Sequence, residues 1–271
     1  ALQAKAAKIS AISLTNKSVP LDLNQSQLVT DSDVLKLISG YSARVTLDVA
    51  GVKNISDALD LLATNSKVAS VILGAGVSTT ASLSYTDASF AAQLTRLPLI
   101  TSSTGAAITA QVTNTVASAV NTLLSNSAIS QVSVVDSASN IASNFNQFEA
   151  LLAASPSAIN KIGTIAFSGP SVLTLSESQL NADTRSLTKL TGSYEIAVTG
   201  ATSIASAVND LGVTTGATSI SVRLAAGASQ SLTQTEFDSV KSQLGNIKPA
   251  VGASLAVTVT SVAASNVSSI L

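Results

Sequence analysis

The chain has 271 residues, of which only 11% are charged, with 14 basic side chains against 15 acidic ones and no histidine, cysteine, methionine or tryptophan. That inventory excludes disulfide frameworks, thiol chemistry and imidazole-based catalysis, and it leaves no basic stripe for a phosphate backbone, so nucleic acid is not an expected partner. Ordinary globular domains carry about 25% charged residues; here Ser and Thr must cover much of the surface, and with the absence of thiols this fits export from a bacterial cell to an extracellular or cell-surface location.

In chain order, Ala1 to Lys8 reads as the tail of a helix, and Lys5 and Lys8 interrupt any apolar signal core, so the chain reads as processed or excised. A short strand over Pro20 to Leu23 precedes a capping pair, Asn24 with Gln27, in which each residue's side chain reaches the other's backbone N–H. The helix that follows carries Leu28, Leu35 and Ile38 at i, i+7 and i+10. Val45, Leu47 and Val49 then alternate with Arg44, Thr46 and Asp48, the pattern of a half-buried strand. Ile55, Ala58, Leu59 and Leu62 give the next apolar helical stripe.

Gly74 and Gly76 mark a turn, since the third glycine of a dinucleotide fingerprint is missing. No charge occurs between Arg96 and Asp136, yet Thr, Ser, Asn and Gln recur throughout that stretch, so no membrane insertion is expected. Within it, residues 98–105 (Pro98, Thr101, Ser102, Ser103, Thr104, Gly105) form the longest irregular segment, a candidate contact loop. Helical stripes follow at Val116, Ala119, Val120, Leu123 and at Ile141, Phe145, Phe148, Leu152.

A second short strand, Ser171 to Leu175, leads into the capping pair Ser176 and Gln179 and the stripe Leu180, Leu187, Leu190. Tyr194, Ile196 and Val198, then Ile220, Val222 and Leu224, then Leu255, Val257 and Val259 alternate as strands. Between them lie a helix on Ile204, Ala207, Val208 and Leu211 and another capped by Thr233 with Glu236.

The helix anchors fall at 28, 55, 90, 116, 141, 180, 204, 237 and 267, with neighbours 24 (180 to 204) to 39 (141 to 180) residues apart. A period of that size is the mark of an array in which each unit buries its apolar face on the next. Lys8 to Lys161 is an offset of 153, and Leu28 to Leu180, Asp31 to Asp183 and Gly40 to Gly192 are offsets of 152, so residues of about 8–50 and 161–202 read as an internal duplication. Strand, short link and helix in succession imply parallel strands joined by right-handed crossovers. The expected fold is therefore α/β, a repetitive strand-helix solenoid with helices mainly on one face, a single body over 1–271 of about nine units.

The two ends read as matching halves of one unit. Ser265-Asn266-Val267 opens a helix, and joining one copy to the next would place Ile9 thirteen residues after Val267, the separation of Ile55 from Val68 and of Val116 from Ile129. This reads either as an excision boundary in a longer repeat protein or as head-to-tail succession, covalent or by docking. Ala1, Leu2, Ile9, Val267, Ile270 and Leu271 are the candidate end-to-end interface, and further copies of the chain or neighbouring repeats are the expected partners.

Chemical motifs point nowhere definite. Ser186 and Lys189 have SxxK spacing, but no KTG or SDN element accompanies them, and a catalytic triad or zinc site would need an imidazole. Asp31 and Asp33 lack the surrounding ligands of a calcium loop and read as helix-surface carboxylates. Phe145 and Phe148 read as core. No catalytic residue, cofactor or metal is expected, and the chain is not expected to be an enzyme.

Val134-Val135-Asp136-Ser-Ala-Ser-Asn140-Ile141, Leu175-Ser-Glu-Ser-Gln-Leu180 and Gly192-Ser-Tyr-Glu-Ile-Ala-Val resemble the repeat region of large secreted bacterial surface proteins, the adhesin-like or haemolysin-type repeat proteins, surface-layer and extracellular fibre components. The resemblance implies a repeat fold and a surface role, and carries over no catalytic residue. The expected function is a structural, non-catalytic part of a bacterial filament, extended through its solenoid ends. The alternative is an adhesin module that binds a glycan or host surface ligand through a Ser/Thr-rich sheet face or the 98–105 loop.

Overall fold

The computed structural model describes residues 3–41, 43–47, 54–154, 161–182, 184–213 and 216–263. It is a mixed α/β structure whose described strands pair in parallel. The chain forms two compact units, one of Ala1–Thr113 with Leu124–Gln131, the other of Asn114–Leu123 with Val132–Leu271.

In the first unit the order is β1 (Leu21–Asn24), α1 (Gln25–Thr30), α2 (Ser32–Lys36), β2 (Ala43–Leu47), α3 (Ile55–Thr64), β3 (Val68–Leu73), β4 (Thr80–Ser84), α4 (Phe90–Arg96), β5 (Ile100–Ser102) and β6 (Thr109–Thr115). One sheet runs β1-β2-β3-β5, while β4 pairs with β6. The capping pair at Asn24 and Gln27 is made in both directions, at 2.8 and 3.0 Å, and Asn54 caps α3 through Asp57 N–H. The stripe Ile55, Ala58, Leu59, Leu62 is buried as its spacing demands, against Val71 and Leu73 of the sheet's core.

Two segments depart from the sequence pattern. Leu28, Leu35 and Ile38 are all buried, but not on one helix: the chain breaks at Asp31 (φ −99, ψ 20) between α1 and α2, and Ile38 forms a parallel bridge with Ile12. Residues 98–105 are not a long irregular loop either. They comprise the end of a 3-10 turn (Leu97–Leu99), strand β5 on β3, and a tight turn at Gly105, φ +75. Ile100 is the only apolar residue of β5 and directly follows the run Leu97-Pro98-Leu99, so no alternation marks so short a strand.

The second unit runs α5 (Val120–Leu124), β7 (Ile129–Asp136, joining the unit at Val132), α6 (Ala138–Ala153), β8 (Ile162–Phe167), β9 (Val172–Ser176), α7 (Glu177–Ala182), α8 (Thr184–Leu187), β10 (Glu195–Ser203), α9 (Ile204–Leu211), β11 (Ser219–Ser229), β12 (Ser231–Thr233), α10 (Gln234–Val240), β13 (Ile247–Lys248) and β14 (Thr258–Thr260). One sheet has the order β13-β11-β10-β9, β7 pairs with β8, and β12 with β14. Its core is built on α6, where Ile141, Phe145 and Phe148 are fully buried.

Elements recur within the two units. β9, α7 and α8 follow one another as β1, α1 and α2 do, Ser176 and Gln179 exchange the same pair of hydrogen bonds as Asn24 and Gln27, and Leu190 bridges Ile165 as Ile38 bridges Ile12. The backbone at Gly40 and Gly192 is left-handed in both, φ +70 and +86, which only glycine adopts at little cost. Strand register differs by one residue, Leu21 facing Ala43 but Val172 facing Glu195.

Three smaller departures concern stripes. Val116 is the extended cap of a 3-10 turn rather than a helical residue, and Ala117, Val120 and Leu123 take the buried positions. On α9 the buried residue of the last turn is Asp210, not Leu211. The last strand is confined to Thr258–Thr260, leaving Leu255 and Val257 outside it. Val49 lies outside the described residues.

Candidate functional site

Three features gather the chemistry that the fold leaves outside its apolar core: buried carboxylates, an uncharged cleft, and strand edges with one neighbour among the described residues.

The carboxylates lie in the second unit. Asp136 ends β7, where its Oδ2 accepts the Ala117 N–H at 2.8 Å and its Oδ1 accepts the Ser137 N–H at 2.7 Å and Asn140 Nδ2 at 2.8 Å. Burial pushes its carboxyl up, but these three bonds to the ionised form outweigh it and hold it below its usual range. Glu149, on α6, receives Arg185 Nη1 at 2.8 Å on one oxygen, and the Ser186 N–H and Oγ at 2.9 and 3.2 Å on the other. Asp210 is only 1% exposed. Its Oδ1 accepts Asn181 Nδ2 at 3.0 Å while Oδ2 has no hydrogen-bond partner. Burial raises its pKa, against the Asn181 bond and with help from the Glu177 charge.

These contacts place Ser186 in a structural role, since its hydroxyl is buried against Glu149. Asp33 forms an exposed pair with Lys36 at 3.0 Å. Gly76 sits in the turn expected of it, with φ +85. Among the described residues no group of three or more metal-ligating side chains converges, and no helix is long and apolar enough to cross a membrane. A carboxylate on an otherwise apolar stripe, as Glu149 beside Phe148 and Asp210 three residues after Ala207, was the available signal for these buried pairs.

The cleft, of about 640 Å³, belongs to the first unit and is open to solvent. Leu97, Pro98, Ile100 and Ile108 supply its apolar lining, with Thr101 and Ser102 of β5 at hand. The Ser102 and Thr104 hydroxyls bond each other at 2.8 Å, so the segment singled out for contact does line a concave surface.

Of the six candidate end residues, Ala1, Leu2, Val267, Ile270 and Leu271 lie outside the described residues. Ile9 is half-buried and donates its N–H to Ala6 O at 3.1 Å. Close to it, Ile12 donates its N–H to Leu37 O at 3.0 Å, the only edge of this segment with a neighbour among the described residues. β14 likewise has β12 on one side, with Thr258 donating to Gln230 O at 2.8 Å. Comparison of the chain with protein-family models, curated proteins and solved structures gives no match.

Proposed function

We propose that the chain is a structural, non-catalytic part of a bacterial extracellular or cell-surface filament, its strand-helix modules stacked as an α/β solenoid and prolonged head to tail. The observation that carries this reading is the recurrence of one module, a short strand, a reciprocally capped helix and a parallel partner strand, in both compact units. Modules of that kind stabilise one another through nearest-neighbour contact and gain from each further copy. A surface with few charges and no thiols supports placement outside the cell. The test is assembly of the purified chain: light scattering and negative-stain electron microscopy should record concentration-dependent growth into unbranched fibres. A chain that stays monomeric to millimolar concentration refutes the proposal.

The uncharged cleft favours a second reading, an adhesin module that takes a neutral glycan against Pro98, Ile108 and the hydroxyls of Thr101 and Ser102. Glycan-array binding that disappears on Ile108→Arg, which fills the cleft with charge, would support it; an array without signal removes it.

A further inference from the structure

We infer that a lysine-rimmed cleft in the first unit, between the end of α2 and the turn from α3 into β3, binds a carboxylated sugar, a uronic acid residue of an acidic polysaccharide. The inference does not depend on the filament reading, and it concerns a different surface from the uncharged cleft beside β5.

The cleft holds about 460 Å³, within the range of about 300–1,000 Å³ usual for small-ligand sites. Leu28, Leu35, Ile38 and Tyr41 form its floor, none of them more than 9% exposed. Ser32, Ser39 and Asn65 add polar groups around it. Lys36 and Lys67 line it as exposed cations, Lys67 Nζ standing 5.6 Å from the centre of the Tyr41 ring. Lys17 runs past Gly40 on the same wall, where an added Cβ would meet its Cδ at 3.9 Å. Lys36 shares its charge with Asp33 at 3.0 Å, whereas Lys17 and Lys67 form no ion pair among the described residues.

The internal duplication shows what the scaffold alone requires. In the second copy α8, Gly192, Tyr194 and β11 follow one another as α2, Gly40, Tyr41 and β3 do. Thr188 lies at the offset of 152 from Lys36, Gly169 lies at the same offset from Lys17, and Thr218 precedes β11 as Lys67 precedes β3. None of the three lysines is repeated; Lys189 stands at the place of Leu37, and Arg185, the cation of α8, is tied to Glu149 at 2.8 Å. Tyr194 carries the Phe167 ring at 5.8 Å in place of an ammonium group. The helix dipole does not demand Lys67 either, since α9 ends at Leu211 and Gly212 with no basic residue in its last turn. In a chain with 14 basic residues among 271, three lysines gathered on one cleft are a property of the first copy that its folding does not explain.

The lining selects the chemistry of the ligand. Ammonium groups attract an anion as point charges. An apolar floor penalises a bare hydrated ion and rewards a body with C–H surface. A pyranose ring has that surface, together with hydroxyls for Ser32 and Ser39. Asp33, beside Lys36, repels a doubly charged phosphate more than a single carboxylate. A neutral sugar would gain nothing from the lysines.

Isothermal titration calorimetry of the full chain tests the assignment with tri-galacturonate, neutral tri-galactose and inorganic phosphate as probes. Tri-galacturonate should bind, more weakly as salt is raised, and the other two should bind at least about tenfold more weakly, the difference made by one charge or by the apolar fit. The double variant Lys36→Gln/Lys67→Gln should weaken tri-galacturonate binding by about tenfold, while Lys161→Gln, which removes one charge from the second unit, should leave it unchanged. Circular dichroism checks that each variant is folded, and all three substitutions are at exposed side chains. Amide NMR shifts on titration should centre on Ser39, Gly40 and Lys67. No binding of tri-galacturonate at millimolar concentration, equal binding of phosphate or tri-galactose, or binding that the double variant leaves intact would each overturn the inference, and none of these results bears on whether the chain assembles into fibres.

Discussion

Asp210 gives the sharpest test of how this fold carries charge. Its side chain sits in the last turn of α9, 1% exposed, with one oxygen bonded to Asn181 and the other without a partner. A carboxylate there also faces the unfavourable end of the helix dipole. Burial, reinforced by the Glu177 charge, lifts its pKa above the usual carboxylate range despite the Asn181 bond. Between the unfolded and the raised native pKa the folded state therefore holds a proton that the unfolded chain has released, and stability falls as pH rises through that window. Above that window the cost is constant.

Asp210→Asn keeps an oxygen for Asn181 and removes the charge. A buried polar group without its partner costs about 1–3 kcal/mol, and more when charged, so the substitution should stabilise the protein by about 1–2 kcal/mol at pH 7.5. The gain should vanish near pH 3. Urea unfolding of both proteins between pH 3 and 8, read by circular dichroism, measures it. A variant less stable than the wild type at pH 7.5, or a difference that does not change with pH, would refute the reasoning.

The other carboxylates should respond in the opposite sense. Asp136→Asn turns an amide donor toward groups that already donate, the Ala117 and Ser137 N–H groups and Asn140, and should cost about 2–3 kcal/mol by urea unfolding at pH 7. Because the native carboxyl of Asp136 is held low, its contribution is present above the unfolded pKa and should fade as pH falls through the native value. Glu149→Gln loses the Arg185 ion pair and retains one acceptor for Ser186; with Arg185 about half exposed, a loss of about 1–2 kcal/mol is expected by the same measurement. Phe145→Ala, at a fully buried ring on α6, should cost about 3–5 kcal/mol, seen as a lowered melting temperature. Thr233→Ala removes the reciprocal cap of α10 and should cost about 1 kcal/mol by thermal melting.

How far the sequence revealed this architecture depended on the range of the forces involved. Capping pairs such as Asn24 with Gln27 and Thr233 with Glu236 are local, three residues apart, and could be read directly. So could the short strands before them, found at Leu21–Asn24 and Val172–Ser176, and the buried stripe of α3. Ile38 and Leu190 lie at i+10, where an apolar residue fits a helical face equally well, and only the distant Ile12 and Ile165 determine that each forms a bridge. The burial of Glu149 and Asp210 is not legible locally, since their partners Arg185 and Asn181 lie 36 and 29 residues away. The cleft was legible only as an uncharged stretch, because its concavity arises where β5 joins β3.

The long reach of the polar contacts has its own explanation. Apolar stripes built from Ala, Val, Leu and Ile are so alike from helix to helix that burial alone would accept a neighbour in the wrong order or register. A side chain that must find one particular polar group does not. In the second unit such links connect elements far apart in the chain: Ala117 with Asp136, Ala142 with Gln179, Glu149 with Ser186, Asn181 with Asp210, Arg223 with Pro249 and Gln230 with Ala256. No two of them use the same pair of residue types in the same place. Breaking the links at Asp136, Glu149 or Asp210 leaves a buried carboxylate short of a donor, a penalty that any misordered packing there also meets. The charge at Asp210 fits this account: although Asp210→Asn is expected to make the native state more stable, the carboxylate can only accept, so it admits Asn181 in one orientation and penalises every neighbour that has no donor to offer.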